Sequence, residues 1–161
     1  PIYTLNKAFA LAALLLLAIS VIRRRLTQGN PNARAMYMAG VFMAIHALLS
    51  LTVLTPAYYE NYFQQGKLTL AGGWSMTLGA VAMVAMAIGS KTSDEQSPDR
   101  RAMTLALLVF VSGLHAALLG FPGWVTPAQW PGGIPPITLI SFLLGVTAVV
   151  VAFYPYPRRT N

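Results

Sequence analysis

Five stretches of the chain are nearly free of charge and long enough to cross a bilayer as helices. A hydrocarbon core of about 30 Å needs about 20 apolar helical residues. The pattern predicts spans at Thr4 to Ile22, Met36 to Leu54, Leu68 to Ser90, Ala102 to Phe121 and Ile137 to Tyr154. The expected fold class is therefore an all-α membrane protein, with residues 1–161 forming one transmembrane domain. No loop is long enough to make a separate soluble domain.

Polar residues between the spans set the orientation. The first apolar run, AFALAALLLLAISVI, is followed rather than preceded by Arg23, Arg24 and Arg25. A secretory signal has the opposite order, so the segment reads as an anchor with its N-terminus outside. One side of the membrane collects Arg23, Arg24, Arg25, Arg34, Lys91, Arg100, Arg101, Arg158 and Arg159, while the other holds only Lys7 and Lys67. Cytoplasmic loops carry the excess of Lys and Arg. The N-terminus is thus expected outside, the C-terminus inside, and the chain in the cell's inner (cytoplasmic) membrane as a multi-pass protein. A four- or six-span arrangement would mix the charges.

Composition agrees. Hydrophobic residues make up 56% of the chain and charged residues 9%, against about 25% in a soluble domain. So few charges cannot cover a water-facing surface. The net charge of +7 reads as topology and not as a nucleic-acid footprint. Tyr58, Tyr59, Tyr62, Trp74, Trp124 and Trp130 fall at the outer boundary, and Tyr37, Tyr154 and Tyr156 at the inner one, as aromatic belts do. The segment KTSDEQSPDRR reads as a solvated inner turn. The outer FPGWVTPAQWPGGIPP cannot be helical throughout, because proline removes a donor and blocks the helix.

Spans two and four begin alike. RAMYMAGVFMAIHALLSLTVLTPA starts at Arg34, and RAMTLALLVFVSGLHAALLGFPGWVTPA starts at Arg101. Both open with Arg-Ala-Met, reach His-Ala and end in Thr-Pro-Ala. The Arg-to-His spacing is 12 in one and 14 in the other, and Leu-Gly follows in spans three and five, at Gly79 and Gly145. The pattern suggests a duplicated two-helix unit, at residues 34–90 and 101–155, with parallel repeats as in some transporters. Spans two to five would then form a four-helix bundle, with span one outside it.

His46 and His115 are the only ionisable side chains at membrane depth, and such a residue is a functional candidate by default. His46 lies eight residues before Leu54, and His115 six before Phe121. At 1.5 Å per residue, they sit about 12 Å and 9 Å below the outer edge, at nearly one level.

Three roles follow from that placement. Two neutral imidazoles on facing helices can ligate one haem iron from both sides. His46 and His115 would be the axial ligands of a b-type haem, with Gly40, Ala47, Gly113, Ala116 and Gly120 giving the macrocycle room. Its propionates would meet Lys67, the outer tyrosines, Gln129, Trp124 or Trp130. Alternatively, each histidine holds the magnesium of a chlorophyll-type pigment, or the pair holds copper or zinc, which would need a further ligand such as Met43. The third role is structural, each imidazole bonding a polar group on a neighbouring helix, with Ser50, Ser75, Ser112 and Thr77 in reach.

The remaining inventory is small. Cysteine is absent, which excludes disulfides and thiolate sites. Apart from Lys7 near the outer end of span one, no Asp, Glu, Lys or Arg lies within a span, as ion-coupled transport would require. No phosphate loop, Ser-His-Asp set or HExxH occurs, and Glu60 is the only outer carboxylate. Catalysis by the chain alone is not expected. Five spans with histidines on bundle helices resemble the cytochrome b subunits of membrane-bound oxidoreductases. Those often carry four haem-ligating histidines, and two limit this chain to one bis-histidine haem. The resemblance implies a membrane subunit of a larger redox complex, with other subunits, lipid and a quinone as partners. The alternative is a cofactor-free accessory subunit of a respiratory or photosynthetic complex, or a pigment-binding one.

Overall fold

The computed structural model describes residues 2–27, 33–91 and 97–154. Arg158, Arg159, Tyr156 and the middle of the KTSDEQ turn lie outside them. The chain is all-helical: α1 Ile2–Thr27, α2 Ala33–Thr52, α3 Leu70–Lys91, α4 Pro98–Trp124 and α5 Ile137–Phe153. The first four are long and apolar enough to cross a membrane, and α5 is a shorter apolar helix of 17 residues.

Local chemistry explains the helix ends. Ser97 caps α4 by accepting from the Arg100 amide at 3.4 Å, with Pro98 in the first turn, where its missing N–H costs nothing. At the other end, α4 runs on through Pro122 to Trp124, past the expected stop at Phe121. The α2–α3 connection is more ordered than a loop. A 3-10 turn at Glu60–Tyr62 leads into a small hairpin, β1 Phe63–Gln64 against β2 Lys67–Leu68. Its two turn residues, Gln65 and Gly66, have φ of 50° and 74°, as a tight hairpin with native twist demands. The second strand takes up Lys67 and Leu68, so α3 starts at Leu70.

Small residues decide which helices touch. Without a hydrophobic drive between lipid-solvated helices, close association depends on backbone approach. The α4–α5 seam is the most extensive. A methyl on Gly113 would lie 2.7 Å from the Ser141 carbonyl oxygen, and one on Gly145 would lie 2.8 Å from Phe110 Cα. The α1–α2 and α3–α4 seams follow, while α2 and α3 meet only slightly.

Span one is not outside the bundle. Helix α1 packs against α2, α4 and α5, and Ala13, Leu17, Ala18 and Val21 are fully buried. All five helices line a cavity, α5 through Ile137, Thr138 and Ser141 at its start, and α5 lies against α1 and α4. Of the two expected pairs, α4–α5 is close while α2–α3 is not, and α1–α2 and α3–α4 form a second set of paired helices. Each pair runs the same way, because its first helix begins, and its second helix ends, near the cavity.

The α4–α5 seam gives a stability test. Gly145→Val should lower thermal stability in detergent by about 1–3 kcal/mol, the usual cost of overpacking. Gly89→Ala, where an added methyl meets nothing within 4 Å, should leave it unchanged or slightly raised.

Candidate functional site

The two histidines come together. Their ring centroids are 6.5 Å apart and the ring planes cross at 76°. Both line a cavity of about 650 Å³ bounded by α1, α2, α3, α4, the start of α5 and the α2–α3 connection. The walls near the rings are small or apolar: Met43, Ala47, Gly79, Ala80, Met83 and Ala116. A methyl on Gly79 would stand 3.2 Å from the His115 ring, so glycine there makes room for the imidazole.

Each imidazole is held by its Nδ1 from the preceding helix. His46 Nδ1 lies 2.6 Å from Asn6 Oδ1 and 3.2 Å from the Asn6 carbonyl. The Asn6 amide nitrogen donates to Ser50 Oγ at 3.0 Å and Tyr59 Oη at 2.7 Å. Its oxygen therefore faces the ring as an acceptor, and His46 Nδ1 carries the hydrogen. His115 Nδ1 lies 2.5 Å from the Ser75 carbonyl, which can only accept. The same tautomer follows. Both Nε2 atoms are left with a lone pair, and neither makes a hydrogen bond among the described residues. A second partner that fixes tautomer and orientation is what metal-ligating histidines usually have.

Asn6 and Ser75 are themselves buried, at 1% and 0% exposure. Each sits near the start of its helix and each bond spans 40 residues. Tyr62 Oη meets Ser75 Oγ at 3.0 Å, and Ser75 Oγ donates to the His115 carbonyl at 3.0 Å. Tyr59 and Tyr62 stack edge to face at 5.4 Å. One turn in the α2–α3 connection thus reaches the anchors of both histidines. Burial pushes the Tyr62 phenol above the usual tyrosine range, the Ser75 hydrogen bond opposes this, and Tyr59 and Tyr3 add to it.

The outer end of the cavity differs in part from the sequence expectation. Tyr58, Tyr59 and Tyr62 do line it, joined by Lys7, Asn61 and Glu60. Lys7 Nζ rests 4.1 Å from the Tyr3 ring centre. Lys67, on β2, and Gln129 are exposed and do not line the cavity. The indoles are used elsewhere: Trp124 Nε1 donates to Thr138 Oγ1 at 2.9 Å, and Trp130 Nε1 to the Gly123 carbonyl at 3.0 Å. Among the glycines and alanines proposed to make room, Ala47, Ala116 and Gly120 line this cavity, Gly40 lines a separate inner crevice, and Gly113 lies in the α4–α5 seam. Ser75 was legible as a partner. Asn6 was not, because one amide near a span end reads as a headgroup residue. Its signal is that it is the only Asn or Gln within the five expected spans.

Among the described residues, no group of three or more His, Asp or Glu could hold a metal ion. The chain supplies two nitrogen lone pairs and an apolar chamber. No protein-family model matches the chain, and no curated protein matches it either.

The anchors are chemically unequal, which is testable. Asn6→Leu removes a side-chain acceptor and strands Ser50 and Tyr59. It should cost about 1–3 kcal/mol in denaturation of the detergent-solubilised protein. Ser75→Ala keeps the carbonyl that holds His115 and should cost less. A raised phenol pKa stabilises the fold below the ordinary value of about 10, and that contribution is lost as pH rises through the folded value. Tyr62 should therefore ionise last in an ultraviolet titration, and Tyr62→Phe should remove that final step.

Proposed function

We propose that the chain is the membrane subunit of a larger redox complex and holds one b-type haem between His46 and His115 for quinone-linked electron transfer. In this reading all five helices cross the cytoplasmic membrane, with the N-terminus outside. The ring separation carries the reading. A metal held at roughly 2.0–2.1 Å from each of two imidazole nitrogens, with each nitrogen about 1.1 Å from its ring centre, would place the centroids about 6.3 Å apart. The observed distance is 6.5 Å. Rotation about the N–metal–N axis leaves the angle between ring planes free, so 76° is compatible.

The surroundings favour a haem over a bare ion. Copper or zinc would need ligands beyond two imidazoles, whereas a porphyrin brings four nitrogens of its own. A chamber of about 650 Å³ is also on the scale of a cofactor pocket. Two pigments, one per histidine and stacked between them, would need roughly 10 Å between ring centres, given metal–nitrogen bonds and carbon contact distances. When bound, the haem would supply one-electron redox chemistry. His46 and His115 would offer Nε2 to the iron. Asn6 and the Ser75 carbonyl would hold the rings, and Lys7 would meet the propionates with Tyr58 and Asn61.

The structural role has an observation of its own, because both Nδ1 atoms are satisfied within the chain. It leaves the two Nε2 atoms and the chamber without a use.

Optical spectroscopy separates these readings. Protein expressed with haem available and purified in detergent should show sharp b-type bands in the dithionite-reduced minus oxidised spectrum. His46→Ala and His115→Ala should each abolish them. A featureless spectrum from folded protein would overturn the reading.

A further inference from the structure

A second cavity, of about 570 Å³, lies nearer the inner ends of α2, α3 and α4. We propose that it binds one anionic phospholipid of the inner leaflet, with an acyl chain in the crevice and the phosphate on Arg101. This stands apart from the haem reading and does not depend on it.

The crevice exists because α2 and α3 scarcely pack together. Its walls are apolar, with Met36, Gly40, Ala44, Met83, Met86 and Leu108 among them. It opens sideways between Tyr37 and Ala87, which are both exposed. Along α2 the lining runs from Ala33 to Ala44, about 16 Å at 1.5 Å per residue. One leaflet contributes about half of a 30 Å core, so the length suits one chain. If a methylene group takes roughly the 30 Å³ of a water molecule, the volume holds about 19 of them.

The inner end selects the headgroup. Arg101 lines the crevice, and its Nε is buried with no hydrogen-bond partner. Asp99, close by in sequence, is bound to Arg24 at 3.1 Å. Among the described residues no carboxylate or histidine lines the crevice. A guanidinium at the mouth of an apolar slot fits a phosphate, and basic pockets between helices on this side of membranes bind acidic lipids. A quinone is a poorer fit, because nothing in the lining exchanges protons with a quinol.

Native mass spectrometry of the full chain, released from nanodiscs of mixed phosphatidylglycerol and phosphatidylethanolamine, tests this. The wild type should retain one lipid and prefer phosphatidylglycerol about five-fold, the contribution of one arginine near a charged headgroup. Arg101→Gln should remove the preference, and Arg101→Lys should keep part of it. Gly40→Leu should displace lipid of both kinds by filling the slot. Equal retention of the two lipids by the wild type, which needs no variant to fold, would overturn the proposal. So would an unchanged preference in Arg101→Gln, or a quinone retained in place of lipid.

Discussion

A buried polar atom in a lipid environment has to find its partner inside the protein, because no water is there to supply one. The two Nδ1 bonds, to Asn6 and to the Ser75 carbonyl, meet that constraint here. They tie α2 to α1 and α4 to α3, and they choose the tautomer of both rings. They also turn the unsatisfied nitrogens away from the helices that hold them. The chamber follows from the same arrangement. A histidine anchored backwards onto its own neighbour leaves the space in front of it free, and small residues such as Gly79 and Ala116 keep that space open.

The outer turn couples what the helices separate. Tyr59 reaches Asn6 and Tyr62 reaches Ser75, so the 3-10 turn and the Tyr59 that caps it join the anchors of both rings. Such a turn is short and exposed in part, yet two of its neighbours in contact are among the most buried polar groups of the fold. Displacing it would disturb both histidines together.

Much of this was legible in the sequence. Hydropathy places helices well because the bilayer imposes a length, and all five helices fall within a few residues of their expected ends apart from longer tails on α1 and α4. Counting residues from the outer boundary put His46 and His115 at one level, and their rings do meet. The pairing of helices was harder. Matching Arg-Ala-Met at Arg34 and Arg101 groups α2 with α3 and α4 with α5, but those matches sit two residues out of step with the histidines. Sixty-nine residues separate His46 from His115, Asn6 from Ser75 and Ala13 from Ala82. That frame groups α1 with α2 and α3 with α4. Such matches are hard to pick out of apolar helices, where one segment resembles another easily.

The shared frame bears on how the molecule is made. Each hairpin carries one imidazole and its own anchor, so each pairs its buried ring nitrogen within itself. The chamber, by contrast, needs both hairpins, because α1, α2, α3 and α4 all line it. The two halves meet only slightly along α2 and α3, so the chamber depends on contacts that neither hairpin makes alone.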